Sequence, residues 1–196
     1  MLIGGKEYSG TLFVHIPKTA GTSVFSIINS LSLDPWKRQY PRGHDPYFYL
    51  KENNLIDNSI FSFSVVRNPY TRTYSCFKQF NKTNNKKIIF SEYLQNIKNN
   101  IISDITPMLH LPQSFYVLDS KNVYNLDKTY RFENLKELEE DFGWTLSFEN
   151  KGNYDILEYN DAYTKENIAS VQYIYDQDFV MFGYSKDFER TGIAIE

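Results

Sequence analysis

The stretch TLFVHIPKTAGTS, residues 11–23, changes its hydrophobic period in the middle. Thr11–Ile16 is a short apolar run of the kind that forms a buried parallel strand. It breaks at Pro17, which has no N–H to give to a sheet ladder. From Thr22 onward the apolar positions take helical spacing, with Val24, Ile27, Ile28 and Leu31 at i, i+3, i+4 and i+7. Between the two lies the turn Pro17-Lys18-Thr19-Ala20-Gly21. This turn is read as joining the strand's end to the helix's start.

The pattern recurs downstream. Ile60–Val66 (IFSFSVV) predicts a second strand ending at Arg67. Asn68 is placed to cap the helix that follows, and Pro69 suits its first position, where a missing N–H costs nothing. Tyr70, Tyr74 and Phe77 supply that helix's apolar stripe. Phe90, Tyr93, Leu94, Ile97 and Ile101 predict another amphipathic helix, reached through the polar stretch Asn81–Lys87, read as a solvent loop. Thr129–Phe132 is a third strand candidate. Leu135, Leu138 and Phe142 mark a helix stopped by Gly143, and Ile168, Val171 and Tyr175 mark the last helix, capped by Thr164. Strands alternating with helices predict an α/β fold with a largely parallel central sheet flanked by helices. No repeat or linker divides the chain, so a single domain over residues 1–196 is expected.

Composition narrows the function. A chain of 196 residues with 41% hydrophobic and 23% charged residues has the balance of a water-soluble globular protein. The net charge of −3 gives no global attraction for nucleic acid, so any anion site must be a local cluster of Lys and Arg. Cys76 is the single cysteine, which excludes an intrachain disulfide and fits a reducing compartment. No run approaches the ~18 apolar residues of a membrane span, and the N-terminus lacks the pattern of a signal peptide. A cytoplasmic location follows as an expectation. The aromatic share of 17% fits an aromatic-rich core first and a sugar-stacking surface second.

Two stretches carry anion chemistry. In His15–Ser23 a helix N-terminus presents unpaired N–H groups and partial positive charge to an anion. Gly21 would let the backbone approach a ligand, Lys18 adds a full charge, and Thr22 and Ser23 add hydroxyl donors. The same turn also suits an ordinary strand–helix connection with Lys18 solvated. The second stretch, Arg67-Asn68-Pro69-Tyr70-Thr71-Arg72-Thr73-Tyr74-Ser75, bears on that choice. If the strands are parallel, Arg67 stands at the carboxyl edge where open α/β sheets bind ligands. Arg72 and Ser75 share a helix face, and two guanidinium forks with a hydroxyl would suit a second phosphate. A surface ion pair for Arg72 is the plainer alternative.

Together these stretches resemble the PAPS-dependent sulfotransferases, enzymes that use 3'-phosphoadenosine-5'-phosphosulfate. The likeness is to the carbohydrate-acting group (sulfotransferase family 2-like), whose first loop reads His-Ile-Pro-Lys-Thr-(Ala/Gly)-Gly-Thr. The family's second motif has the spacing Arg-x-Pro-x-x-Arg-x-x-Ser. Arg131-Phe132-Glu133-Asn134-Leu135, Asp178-Phe179 and Phe182-Gly183-Tyr184-Ser185 are similar to later landmarks, so the likeness runs with gaps from about Thr11 to Ser185. The resemblance implies a P-loop-like three-layer fold. It implies that Lys18, Thr19, Gly21, Thr22 and Ser23 hold the 5' end of the co-substrate, and that Arg67 and Ser75 hold its 3'-phosphate. It further implies sulfuryl transfer to an acceptor hydroxyl, expected on a carbohydrate, with no metal. The chain is short for this group, which suggests reduced acceptor-binding segments or segments supplied by another subunit.

Sulfuryl transfer needs a base for the acceptor's proton and positive charge for the leaving phosphate. Lys18 suits the second role. Among the three histidines, His15 belongs to the loop and is expected to be structural. His44, in Arg42-Gly43-His44-Asp45-Pro46, stands before a helix that Asp45 would cap and Pro46 would open. Such an N-terminus disfavours imidazolium by about 0.3–1 kcal/mol, while Asp45 favours it. In glycosaminoglycan-type members of the family a Gly-His or similar step between the two motifs supplies the base, which makes His44 the first candidate. His110, Glu52 and Asp45 stand behind it, and Arg42 could orient a sulfate or an acidic acceptor.

Other classes fit less well. A P-loop kinase needs Lys directly after a second glycine, whereas Lys18 precedes Gly21. A module that binds a nucleotide or sulfated glycan without turnover remains the non-enzymatic alternative. Scattered histidines and one cysteine give no metal-ligand spacing, and Cys76 suits a buried apolar site better than a nucleophile.

Overall fold

A computed structural model describes residues 2–3, 6–30, 43–54, 59–101, 108–147 and 155–188; Leu31 and Arg42 lie outside the described residues. In chain order the first elements are β1 (Leu2–Ile3), β2 (Lys6–Glu7), β3 (Gly10–Val14), α1 (Gly21–Ser30), α2 (Tyr47–Glu52) and β4 (Ile60–Val66). There follow α3 (Pro69–Asn84), α4 (Phe90–Lys98), α5 (Gln113–Val117), β5 (Lys128–Arg131) and α6 (Leu135–Phe142). The last helices among the described residues are α7 (Ile156–Ala162), α8 (Lys165–Ile174) and α9 (Asp176–Phe182). They gather into two compact units. One comprises Met1–Arg67 with Gln113–Asn150, the other Asn68–Pro112 with Lys151–Glu196.

The first unit is α/β. Its three-stranded sheet has the order β3-β4-β5 with every pair parallel, in the register Val14↔Ser64 and Val66↔Arg131. Alternation along the strands puts Phe13, Phe61, Phe63, Val65 and Tyr130 on one face. There they form a core with Val24 and Ile28 of α1 and Leu135 and Leu138 of α6. The sheet flanked by helices is therefore the one the sequence predicts. The first strand stops at Val14 rather than Ile16, and the third runs Lys128–Arg131 rather than 129–132. Gly143 ends α6 in the left-handed conformation, φ 64°, as a C-capping glycine does. Lys128 and Tyr130 of β5 both bond the Asp141 carboxylate of α6, each at 2.6 Å.

The second unit is helical, and its core is built from rings. Tyr70, Tyr74, Phe77 and Phe80 of α3 pack with Phe90 and Tyr93 of α4 and with Tyr159, Tyr163, Tyr175 and Phe179. The aromatic surplus is thus largely core material in both units. Phenol groups inside it find carbonyl acceptors: Tyr163 donates to Tyr70 O at 2.5 Å, and Tyr175 to His110 O at 2.9 Å.

Several predicted boundaries move. The stretch 81–87 is not all loop, because α3 continues to Asn84 and ends at a left-handed Asn85, φ 49°. Its polar side chains donate to carbonyls, Asn84 back to Phe80 O and Asn81 forward to Ile88 O, while Phe80 anchors the last turns in the core. Helix α4 ends at Lys98, which leaves Ile101 outside it and exposed. Asp45 does not cap α2: Pro46 keeps an extended ψ of 150°, so it takes the N-cap position and the helix starts one residue later. Thr164 caps α8 as expected, but α8 is not the last helix; Tyr175 closes it and opens α9.

Candidate anion and base site at the sheet edge

Because β3, β4 and β5 are parallel, the loop after Val14, Arg67 and Phe132 all leave the sheet at its carboxyl edge. The structure joins them there. The Arg67 guanidinium lies over the Phe132 ring, 4.2 Å from its centroid, and its Nη1 donates to Lys18 O at 3.4 Å. A guanidinium over an aromatic face gains a cation–π contact, and one of its N–H donors goes to the Lys18 carbonyl. The arginine is itself buried, at 6% exposure.

The loop has unusual backbone. Lys18 and Ala20 both lie in the left-handed region, φ 69° and 66°, a conformation that non-glycine residues seldom take. Thr19, fully buried between them, donates its hydroxyl to Ile16 O at 2.8 Å and so holds the turn closed. Its side-chain proton is therefore committed to the turn. Of the other loop residues, Thr22 is exposed, Lys18 half-buried and Ser23 buried, at the N-terminal turn of α1.

Gly21 has a reason the sequence did not disclose. A Cβ there would stand 1.6 Å from His15 Nε2, so the His15 ring occupies the space a side chain would need. His15 also packs against Phe13 and Phe25, which agrees with the structural part expected of it.

His44 belongs to the same cluster. Its ring lies 4.1 Å from that of His15, centroid to centroid, and its Nδ1 is 3.0 Å from His15 O. A carbonyl oxygen can only accept, so Nδ1 carries the hydrogen. In the neutral ring Nε2 then holds the lone pair, as a base requires. The candidate base is thus anchored to the candidate anion loop by one bond and one ring contact. Asp45 beside it is buried, whereas Glu52 is exposed on α2.

The remaining candidates lie in the second unit. Ser75 is buried within α3. Arg72, 1% exposed, is no surface ion-pair residue: it donates to Leu111 O at 3.0 Å and Leu109 O at 3.5 Å. Cys76 is buried and bonds Leu109 O through Sγ. His110 accepts from Tyr175 through its backbone.

Two residues without an assigned part belong to this edge. Phe132 lies within the motif Arg131–Leu135; it packs against the core of its unit, and its ring lies under the Arg67 guanidinium. Gln113, fully buried, bonds both main-chain groups of Arg67. Among the described residues, no group of three or more His, Cys, Asp or Glu could hold a metal ion, and no helix is long and apolar enough to cross a membrane. Compared with protein-family models, curated proteins and solved structures, the chain matches none.

Proposed function

We propose that the chain is a sulfotransferase that moves the sulfuryl group of 3'-phosphoadenosine-5'-phosphosulfate to an acceptor hydroxyl, on a carbohydrate. The observation that carries this reading is the bond between Arg67 and the Lys18 carbonyl, which joins the arginine of the second motif to the loop of the first. The α/β sheet, with both motifs directly after parallel strands, supports a P-loop-like three-layer assignment.

The residues at the sheet edge fit such a co-substrate by chemistry. Lys18, Thr22 and Ser23 would hold its 5' end through charge, hydroxyls and the N-terminal N–H groups of α1, while Thr19, whose hydroxyl is given to Ile16 O, and Gly21, set against His15, would keep the shape of the loop. Arg67 would hold the 3'-phosphate. The bound co-substrate supplies an activated sulfuryl group with a good phosphate leaving group. His44 Nε2 takes the acceptor's proton as the new S–O bond forms, and Lys18 offsets negative charge on the phosphate oxygen as the old S–O bond breaks.

The test is transfer of labelled sulfur from the co-substrate to a panel of glycans. Lys18→Ala and His44→Ala should each cost roughly 100-fold or more in turnover, while Arg67→Ala should mainly raise the KM of the co-substrate. Full activity in Lys18→Ala would sink the mechanism. No transfer by the wild type, together with tight binding of 3'-phosphoadenosine 5'-phosphate, would favour a binding module. A requirement for ATP and a metal would point instead to a kinase.

A further inference from the structure

The last residue of β4 is Val66, so the main chain of Arg67 leaves the ladder. A side chain takes over there. Gln113 Oε1 accepts from Arg67 N at 2.8 Å, and Gln113 Nε2 donates to Arg67 O at 2.8 Å. One amide thus engages both main-chain groups of one residue, as a neighbouring strand would, and Gln113 is fully buried in doing so. Gln113 opens α5, a short helix whose Tyr116 and Val117 are themselves buried. Beyond this clamp the Arg67 side chain runs to the Phe132 ring and the Lys18 carbonyl.

We propose that Gln113 is a positioning residue for the anion site: it fixes the Arg67 backbone so that the guanidinium is presented to the 3'-phosphate of the nucleotide. The proposal rests on the sulfotransferase reading above and deepens it. A guanidinium gains a phosphate fork cheaply only when its stem is already ordered, because the ordering cost is then absent from binding. Removing the amide would leave the Arg67 N–H and C=O without these partners and would loosen the stem. Gln113 does not touch the reacting atoms, so its loss should act on nucleotide recognition and leave the chemical step alone.

The experiment is titration calorimetry of the full chain with 3'-phosphoadenosine 5'-phosphate and, separately, adenosine 5'-phosphate. The wild type should prefer the nucleotide with the 3'-phosphate. Gln113→Met, which keeps the length and apolar bulk of the side chain, should weaken that nucleotide roughly tenfold and adenosine 5'-phosphate by no more than about twofold. Gln113→Glu, which retains an acceptor for Arg67 N, should fall between; it decides the matter if Gln113→Met does not fold. In turnover assays the KM of the co-substrate should rise by the same factor with kcat nearly unchanged. If the wild type discriminates but both variants keep its full preference, the role of Gln113 is overturned and the sulfotransferase reading stands. If the wild type shows no preference for the 3'-phosphate, both fall together. Equal weakening of both nucleotides would make Gln113 a general structural residue and would also overturn the proposal.

Discussion

Two strand-to-helix junctions carry the motifs, and they are built in opposite ways. After β3 the chain makes a separate turn with two left-handed non-glycine residues, a buried Thr19 that closes it, and a glycine pressed against an imidazole. After β4 the chain enters its helix almost at once, with Asn68 as cap accepting from Tyr70 N and Pro69 at the first position. The first junction holds a closed turn in a strained shape. The second spends its polar groups on itself: Thr71 bonds Asn68 O, Thr73 bonds Pro69 O, and Arg72 bonds the carbonyls of Leu109 and Leu111. Of the second motif's two arginines, one belongs to the sheet edge and one to the helical unit's interior. Similar spacing in sequence therefore does not mean similar duty.

The sharpest way to break this contrast is to remove the two arginines in turn. Arg72→Met should destabilise the protein by about 3 kcal/mol, because two inward-facing carbonyls lose a charged donor. In a chain of this length that lowers the melting temperature by roughly 6–12 °C. Arg67→Ala should cost less stability and show mainly in nucleotide affinity. If Arg72→Met left the melting temperature untouched and abolished nucleotide binding, Arg72 would serve a ligand and not the interior of the helical unit.

Gly21→Ala comes next. The added methyl meets the His15 ring at 1.6 Å, so the ring or α1 must move, at about 1–3 kcal/mol. Gly10→Ala is the control, since a Cβ there has nothing within 4 Å. Thermal denaturation of the pair should separate them clearly. Because His15 also carries the carbonyl that fixes His44, Gly21→Ala should lower turnover beyond what its stability loss explains. Equal melting temperatures for the two variants would mean that His15 yields without cost and that the first junction is less rigid than its geometry implies.

Asn68→Ala tests the second junction's cap. Losing the bond to Tyr70 N should cost about 1 kcal/mol, seen as a shift in the denaturation midpoint with an unchanged slope. Asn68→Asp should restore most of it. Loss of catalysis without loss of stability would show that the cap serves the ligand instead.

Much of this was legible in the sequence, and the failures have physical causes. Ile60–Val66 shows its strand bounds directly, because a continuous β-branched and aromatic run meets a cap and a proline. Thr164 and Gly143 are equally local signals. The parallel sheet follows from strands separated by helices, and with it the placement of Arg67 at the loop's edge. What escaped is what depends on distant partners. The Gln113 amide meets Arg67 across 46 positions, and no periodicity marks such a side-chain substitute for a strand. The left-handed Lys18 and Ala20 carry no glycine to announce them. Gly21 suggests ligand access, but its neighbour is an imidazole six positions earlier. Helices α5 and α7 are too short for a hydrophobic stripe to show, and Asn81–Asn84 reads as loop because its helix is secured by side-chain bonds to the carbonyls of Phe80 and Ile88 and by Phe80 in the core.

The third parallel strand offers the mildest test, a junction held by charge at the surface. Lys128 Nζ lies 2.6 Å from Asp141 and 2.8 Å from Glu137, tying β5 to α6. The bond from Lys128, then that from Tyr130, holds the Asp141 carboxyl below its usual value near 3.8 against some opposing burial. A carboxyl depressed in the folded state contributes stability above its unfolded pKa and loses it as the pH falls through the folded one. Asp141→Asn should therefore lower the melting temperature at neutral pH. The difference from wild type should shrink below about pH 4 and vanish further into acid. The partners are partly exposed, so the effect at neutral pH should stay within about 1 kcal/mol and diminish in salt. A difference that persisted unchanged in acid would mean that Asp141 acts through the shape of its contacts with Tyr130 and not through its charge. The third junction would then resemble the first, held by packing, more than the ionic clasp its distances describe.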